Sequence, residues 1–238
     1  MNPVLVALDV PELDEAVALA RTLSPHVGGY KVGLELLMGH GPPAVAQVAA
    51  LGLPVFVDAK LHDIPNTVEA AARRLAASGA RWVTVHASGG SEMMEAAAVG
   101  LHSGTPQAKA GVLAVTVLTS IDEDDLAQSG ISGPLEAQVR RLAGLAAASG
   151  AEGVICSPHE VRSVKAASDK LLAVTPGIRR LGDEAGDQKR VASPVDALEM
   201  GSDYLVVGRS ITRAHSPPRA AMEIAEAIET YRGSDPAG

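Results

Sequence analysis

The sequence contains little of what marks several common classes of protein. Its 238 residues include a single cysteine, Cys156, which excludes an internal disulfide and a cysteine-based metal cluster. Because Cys156 follows the apolar pair Val154 and Ile155, we predict that it is a buried strand residue without a catalytic role. One Phe, one Trp and a formal net charge of −8 provide neither the stacking aromatics nor the basic face that nucleic-acid binding needs. The composition therefore argues against a nucleic-acid partner.

Long apolar runs are scarce as well. No continuous apolar stretch approaches the roughly 18 residues from which a transmembrane helix is inferred. The start, Met1-Asn2-Pro3-Val4, enters strand-like sequence without the basic segment of a signal peptide. We therefore expect a cytoplasmic protein with no membrane partner. Hydrophobic residues make up 47% of the chain, and no low-complexity or highly charged tract divides it, so we expect one large domain spanning residues 1–238.

What the sequence does contain is a repeated pattern of short β-rich apolar runs, each followed by a longer stretch with helical spacing. The eight runs are Val4–Leu8, Gly29–Leu34, Pro54–Val57, Arg81–Val85, Gly111–Val117, Gly153–Cys156, Leu171–Val174 and Tyr204–Val207. Eight strands alternating with helices in a chain near the usual length of about 250 residues predict an α/β fold, a (β/α)₈ TIM barrel. The alternative is an open doubly wound sheet, but residues 8–12 lack the glycine fingerprint that this fold carries after its first strand.

The most distinctive motif follows the third run and reads Asp58-Ala59-Lys60-Leu61-His62-Asp63. The period of two along a strand places Asp58 and Lys60 on the same side, and the following turn can bring Asp63 back towards them. Opposite charges held this close favour the ionised forms, and an ammonium in such a place can deliver its proton to a carbanion forming beside it. The alternative is an ion-pair network that only closes one end of a sheet.

Polar residues interrupt the apolar runs at their carboxyl ends, which is where the active sites of barrels lie. Lys31 lies within or near the end of the second run, and the residues after runs one, three, five, seven and eight are Asp9, Asp58, Lys60, Asp63, Thr119, Ser120, Arg179 and the pair Gly208-Arg209. After the eighth strand, Gly208 lets the backbone approach an anion and Arg209 can add a bidentate contact, so we predict a phosphate site there. The alternative is an ordinary helix start with an exposed arginine.

Residues 176–193 form the longest segment without periodicity, and we interpret it as a lid over the site. Within it, Arg179 and Gln188 are best suited to reach an anion and the edge of a heterocycle. The alternative is a solvated surface loop. The acidic segment 121–133 is interpreted as a solvated helix start.

A metal site is not predicted. The seven histidines include no pair at metal-ligand spacing, and we interpret them as ordinary structural or surface residues. The alternative is a Mg²⁺ ion on Asp9, Glu35 and Asp58.

Taken together, these residues resemble the orotidine 5′-phosphate decarboxylases, and the resemblance covers essentially the whole chain. The matching segments are residues 8–10, 30–33, 58–67, 117–120, 175–179, 186–188 and 207–209. The core Asp58-x-Lys60-x-x-Asp63 is highly specific. No position expected to carry chemistry departs from the family pattern.

The resemblance implies decarboxylation of orotidine 5′-monophosphate to uridine 5′-monophosphate, the last step of de novo pyrimidine synthesis, without a metal or organic cofactor. Loss of CO₂ leaves a carbanion in the plane of the ring, where π-delocalisation cannot spread the charge. The resemblance therefore implies that Lys60 stabilises this carbanion and then protonates it. Asp58 lies beside the departing carboxylate, and Lys31 and Asp58 align Lys60 and contact the ribose.

The resemblance also implies roles for the remaining candidates. Asp9 holds a ribose hydroxyl or the ring edge, and Thr119 and Ser120 are further substrate-binding candidates. Phosphate is held by Arg179, Gln188, Gly208 and Arg209. In a homodimer with shared active sites, Asp63 and Thr67 serve the site of the neighbouring subunit.

Two rival functions stay open at the level of sequence. One is a sugar-phosphate member of the same superfamily, which shares the Asp-x-Lys-x-x-Asp motif but needs Mg²⁺ to stabilise an enediolate. Lys31 argues against it, because a cation there would repel the metal. The other is a nucleotide-binding barrel without catalysis, which gives no reason to keep Asp58, Lys60 and Asp63 together.

Overall fold

The eight apolar runs form eight parallel strands that close into a barrel in sequence order. The computed structural model describes residues 2–180 and 191–234. Its strands are β1 (Val4–Ala7), β2 (Gly29–Val32), β3 (Val55–Leu61), β4 (Ala80–His86), β5 (Gly111–Val115), β6 (Gly153–Ile155), β7 (Leu172–Thr175) and β8 (Tyr204–Val207). Closure comes from β1 and β8, which pair from Val4↔Leu205 to Val6↔Val207. The predicted (β/α)₈ barrel is thus confirmed, and the open sheet is wrong.

Helices surround the barrel, and most of them lie between successive strands. They are α1 (Leu13–Leu23), α2 (Leu34–His40), α3 (Pro42–Ala49), α4 (Pro65–Ala77), α5 (Ser91–Gly104), α6 (Glu123–Gln128), α7 (Leu135–Ala148), α8 (Val161–Ala167), α9 (Pro194–Glu199), α10 (Arg209–Thr212) and α11 (Pro217–Ser234). In the acidic segment the Asp122 carboxylate accepts from the backbone N–H groups of Asp124 and Asp125, which caps α6. The predicted helix start is confirmed. No helix among the described residues is both long and apolar enough to cross a membrane.

Strand alternation divides the apolar residues between two faces of the barrel wall. One set packs outward against the helices and includes Val6, Tyr30, Val57, Val83 and Val207. The other fills the barrel interior and consists of Leu5, Ala7, Phe56, Trp82, Leu113, Val174 and Val206. Cys156 is buried in the outer set, so its predicted burial is confirmed, but β6 ends at Ile155 and its predicted place in the strand is wrong by one residue.

Along three strands the apolar residue that faces the barrel interior is followed, two positions later, by a polar residue at the carboxyl end. Two positions after the interior residues Ala7, Phe56 and Trp82 come Asp9, Asp58 and Thr84. An apolar layer inside the barrel therefore supports a polar layer directly above it. The candidate site therefore lies at the carboxyl ends of the strands.

Candidate active site

Four charged side chains of alternating sign form a row across the ends of β1, β2 and β3. Lys31 Nζ donates to Asp9 Oδ1 at 2.9 Å and lies 3.9 Å from Asp58 Oδ2. Lys60 Nζ donates to the same Asp58 oxygen at 2.7 Å. The side chain of Lys31 is 11% exposed and that of Asp58 15%, so the middle of the row is largely removed from solvent. Each buried charge has an opposite charge beside it, which offsets its loss of hydration.

The register of the strands explains why the row forms. Lys31 lies opposite Ala7 on one side and Phe56 on the other, so its side chain shares their interior direction. Gly33 keeps room for the ion pair that Lys31 makes, because a Cβ at position 33 would lie 2.8 Å from Lys31 Nζ and 3.0 Å from Asp9 Oδ1. A side chain at this position would displace one of the two charged groups.

β3 carries a bulge at the motif. Val57 pairs with Val83 and Leu61 with Val85, so three residues of β3 oppose the single residue Thr84 of β4. Lys60 adopts φ +48°, and it is the one non-glycine residue with positive φ in the described part of the chain. This conformation costs roughly 1–2 kcal/mol in an L-residue. The predicted strand ended at Val57, and the observed one runs on through the charged motif because the bulge absorbs the extra residues.

Thr84 is a buried residue of this site that the sequence reasoning missed. Its hydroxyl donates to Asp58 Oδ1 at 3.0 Å and accepts from the backbone N–H of Lys60 at 2.8 Å. Threonine between two valines is ordinary strand sequence, so residue type gives no warning. The usable signal is that Thr84 follows Trp82 by two residues and therefore shares its interior direction.

A cavity of about 540 Å³ opens above the row, which is within the usual range for small-molecule sites. Its floor is the apolar interior layer, including Phe56 and Val206. The polar lining comprises Asp9, Lys31, Glu35, Asp58, Lys60, Thr119, Ser120, Arg179, Arg209 and Arg213. Of these, Glu35 was considered only as a metal ligand, and Arg213 was not anticipated. Among the described residues no group of three or more His, Cys, Asp or Glu side chains is arranged to hold a metal ion.

Arginines gather where β7 and β8 end. Arg179 lines the cavity and also donates from Nη1 to the carbonyl of Ile178 at 2.9 Å. Gly208 and Arg209 line it from the loop between β8 and α10, and Arg213 lies one turn further along. Positive charge is thus concentrated at the side of the barrel where the sequence predicted a phosphate site.

The predicted lid is anchored at both of its ends. Arg179 N donates to the carbonyl of Ala192 at 3.0 Å, and Ala192 N donates to the carbonyl of Gly177 at 3.2 Å. These bonds hold the two ends together beside the cavity. Gln188 belongs to residues 181–190, which lie outside the described residues, so closure of the lid and contact by Gln188 stay predictions.

Asp63 and Thr67 do not line the cavity of their own chain. Both are exposed, and Asp63 Oδ1 accepts from the backbone N–H of Ile64 at 2.6 Å. In the described residues Lys60 pairs with Asp58 and makes no ion pair with Asp63, so the expectation that the turn brings Asp63 back to Lys60 within one chain is wrong. A role of Asp63 and Thr67 in the active site of a neighbouring subunit stays a prediction.

His86 is the last residue of β4, and its ring lies beside His62 of the β3 motif. Its ring centroid lies 5.3 Å from that of His62. Burial, followed by repulsion from His62 and Lys60, lowers the pKa of His86, while Asp58 partly opposes the shift. The lowered pKa favours the uncharged form of His86.

Comparison with known proteins assigns this site to a family. The model of the Orotidine 5′-phosphate decarboxylase / HUMPS family matches residues 2–224. The chain belongs to this family. A relative named orotidine 5′-phosphate decarboxylase from Anaeromyxobacter sp. strain K is 52% identical over 226 residues, covering 94% of this chain and 97% of the relative. Another of that name, from Paramagnetospirillum magneticum, is 47% identical over 228 residues with the same coverage of each chain.

Solved structures agree with the family assignment. The crystal structure of orotidine 5′-phosphate decarboxylase from Lactobacillus acidophilus matches with a TM-score of 0.84 and 41% identity, covering 97% of this chain and 99% of that one. The enzyme of the same name from Pyrococcus horikoshii OT3, at 24% identity and a TM-score of 0.74, shares the fold. This chain and the Pyrococcus protein thus share one barrel fold although only 24% of their residues are identical.

Proposed function

We propose that the chain decarboxylates orotidine 5′-monophosphate to uridine 5′-monophosphate, a step of pyrimidine biosynthesis, with Lys60 as the group that stabilises and protonates the carbanion. The family and its relatives of up to 52% identity support the reaction. The observation that carries the role of Lys60 is its ammonium on the cavity wall, 2.7 Å from the Asp58 carboxylate.

The chemistry needs a fixed positive charge in a largely dehydrated place. The bond from C6 to the substrate carboxylate breaks, CO₂ leaves, and the electron pair stays on C6. An ammonium held beside C6 stabilises that pair electrostatically and then transfers a proton to it. The product is uridine 5′-monophosphate, and the neutral amine of Lys60 regains a proton from water.

Asp58 has a second effect besides holding Lys60. A carboxylate in this position faces the substrate carboxylate, and the repulsion between the two is relieved when CO₂ departs. Lys31 lies between Asp9 and Asp58, and so it limits the repulsion between those two carboxylates. We assign Asp9 and Lys31 to the ribose, and Thr119 and Ser120 to further contacts with the nucleotide.

The phosphate is assigned to the part of the cavity lining that follows β7 and β8. Arg179, Gly208 and Arg209 supply cationic and backbone N–H donors there, and Gln188 is proposed to join them from the lid. Binding energy from this remote group can position the reacting carboxylate above Lys60.

A magnesium-dependent sugar-phosphate reaction is the rival to be excluded, since it uses the same motif. Lys31 Nζ sits at 2.9 Å from Asp9 and 3.9 Å from Asp58. These are two of the three carboxylates from which such a site would be built. A divalent cation bound there would face an ammonium at close range, so we propose that catalysis proceeds without metal or organic cofactor.

We also propose that two copies of the chain form a homodimer in which each completes the other's site. Asp63 and Thr67 point outward in the single chain, next to Ile64, whose side chain is largely exposed. Leu34 and Met38, on α2 beside the end of β3, are exposed large apolar residues too. Exposed large apolar residues are typical of an interface. A charged nucleotide does not cross a bilayer unaided, so we place the reaction in the cytoplasm.

The reaction is tested by incubating the purified chain with orotidine 5′-monophosphate and measuring CO₂ and uridine 5′-monophosphate separately. We expect the two products in equal amounts. A chain that binds the nucleotide and releases neither product would contradict the proposal and favour a binding protein.

A further inference from the structure

We propose that Thr84 is a positioning residue for the decarboxylation, because its buried hydroxyl fixes both the Asp58 carboxylate and the backbone that carries Lys60. The inference rests on the proposed function, since it assigns Thr84 to the charges that this function uses. Thr84 does not line the cavity, so it acts through other residues and not on the substrate.

The hydroxyl of Thr84 has both of its hydrogen-bonding capacities engaged. It accepts from the Lys60 N–H at 2.8 Å, and its proton goes to Asp58 Oδ1 at 3.0 Å. A carboxylate can only accept, which fixes the direction of the second bond. Thr84 is fully buried, so no solvent molecule competes for the hydroxyl.

The bulge in β3 creates the need for this hydroxyl. Where three residues of β3 oppose one of β4, the ladder between backbone groups is interrupted. At this interruption Lys60 has a positive φ, and its N–H donates to the hydroxyl of Thr84 at 2.8 Å. The threonine side chain supplies the acceptor, and it thereby holds a backbone conformation that lysine alone disfavours.

The same hydroxyl fixes the orientation of the Asp58 carboxylate. Thr84 bonds Oδ1, while Lys60 bonds Oδ2 at 2.7 Å with Lys31 at 3.9 Å. A carboxylate held through both oxygens cannot rotate about its terminal bond. Without Thr84, Asp58 is held through one oxygen only, and Lys60 loses the anchor of its backbone and the fixed direction of its partner.

The test compares Thr84→Val, which keeps the shape and removes the hydroxyl, with Thr84→Ser, which keeps the hydroxyl. The value of kcat is divided by the concentration of sites that bind uridine 5′-monophosphate, so that only folded sites count. We expect Thr84→Val to lower kcat by about 10- to 100-fold, as misplacement of reacting groups does. The KM should change much less than kcat, because the proposed phosphate contacts of Arg179 and Arg209 are untouched. Thr84→Ser should regain most of the lost kcat.

Thr175→Val is the matched control. Thr175 is likewise a fully buried strand threonine, and its hydroxyl lies 3.0 Å from Ser202 Oγ and 3.3 Å from the carbonyl of Tyr204. We expect a comparable loss of thermal stability from this substitution and a kcat close to that of the parent. Equal losses of kcat in Thr84→Val and Thr175→Val would reduce Thr84 to a structural residue and overturn the inference.

Measurement of Lys60→Ala in parallel separates the two proposals. If Lys60→Ala stays as active as the parent, the proposed role of Lys60 is wrong. Two other results overturn only the inference about Thr84. One is an inactive Lys60→Ala together with a Thr84→Val variant that keeps the parent kcat. The other is a Thr84→Ser variant whose kcat falls as far as that of Thr84→Val. Should Thr84→Val fail to fold, Thr84→Ala is compared with Thr84→Ser by the same measure.

A double-mutant cycle tests the route through Asp58. Because Thr84 holds the Asp58 carboxylate, Thr84→Val should lower kcat much less in an Asp58→Asn background than in the parent. An undiminished effect in that background would show that Thr84 does not act through Asp58, and would overturn that part of the inference.

Discussion

Lys60 Nζ and Asp58 Oδ2 lie 2.7 Å apart although the backbone between them is bulged and Lys60 has a left-handed φ. The ion pair is therefore held by a locally unfavourable backbone. Strain of this kind persists where surrounding contacts determine the conformation, and it concentrates at functional sites. Removal of Asp58 would leave the ammonium of Lys60 without its carboxylate partner, whereas removal of Lys60 would leave Asp58 with Lys31 at 3.9 Å.

Loss of the Lys60 ammonium should abolish most activity while the fold persists. We expect Lys60→Ala to lose at least the roughly 10²- to 10⁴-fold that general acid catalysis contributes, and more from the missing electrostatic stabilisation. Lys165→Ala is the control, since Lys165 Nζ is also 2.7 Å from a carboxylate, that of Asp203, and its side chain is 29% exposed against 28% for Lys60. Activity of Lys60→Ala near that of Lys165→Ala would remove Lys60 from the mechanism.

Metal independence is the second prediction. Because Lys31 occupies the place between Asp9 and Asp58 with positive charge, prolonged treatment with a chelator should leave kcat and KM unchanged. The measurement is the rate before and after dialysis against chelator, with and without added Mg²⁺. A fall in rate that Mg²⁺ restores would favour the sugar-phosphate chemistry instead.

The sequence predicted the architecture because it depends on features that repeat along the chain. Eight apolar runs of strand length fix the barrel, and polar residues at the carboxyl ends of strands fix which end holds the site. Asp9, Lys31, Asp58 and Lys60 come together as expected. The closeness of Asp58 and Lys60 was inferred from regular alternation, whereas the structure achieves it through a bulge.

The roles of Thr84 and Asp63 depend on backbone geometry that the pattern of apolar and polar residues does not reveal. A bulge is not visible in a run of strand residues, so neither the left-handed Lys60 nor the need for Thr84 could be inferred. The path of the turn after β3 is likewise not contained in the pattern, and Asp63, which was expected near Lys60, is exposed and bonds its neighbour Ile64 instead.

Phosphate binding by Arg209 is the third prediction. Arg209 lies in the cavity lining directly after β8, three strands around the barrel from β3, so Arg209→Ala should raise the KM for the nucleotide strongly. It should matter little for a nucleoside substrate that lacks the phosphate. Arg219→Ala, at an exposed arginine paired with Glu223 on α11, is the control. Equal losses on both substrates would indicate a structural role for Arg209.

The lowered pKa of His86 predicts how stability depends on pH. Burial first, then repulsion from His62 and Lys60, lowers the folded-state pKa below the ordinary 6.5, with Asp58 opposing. Between the folded-state value and 6.5 the unfolded chain binds the proton more readily, so stability should fall as the pH drops below 6.5 through that window. Urea midpoints should therefore depend less on pH in His86→Asn than in the parent. His102→Asn, at an exposed position, should leave the dependence unchanged.

The shared active site gives the last prediction, which concerns Asp63 and Lys60. If Asp63 serves the neighbouring subunit, a dimer of one Lys60→Ala chain and one Asp63→Ala chain has one site with both lesions and one site with neither. Two poorly active proteins should then regain up to about half of the parent activity per mixed dimer when their subunits exchange.

Mixing Lys60→Ala with Lys31→Ala provides the control for this experiment, because both lesions fall on residues of the same chain's cavity. Each site of that mixed dimer keeps one lesion, so no activity should return. Subunit exchange is verified with differently tagged chains in both mixtures. If exchange is complete and Lys60→Ala with Asp63→Ala recovers no more than the control, Asp63 acts within its own chain or not at all, and the shared site is ruled out.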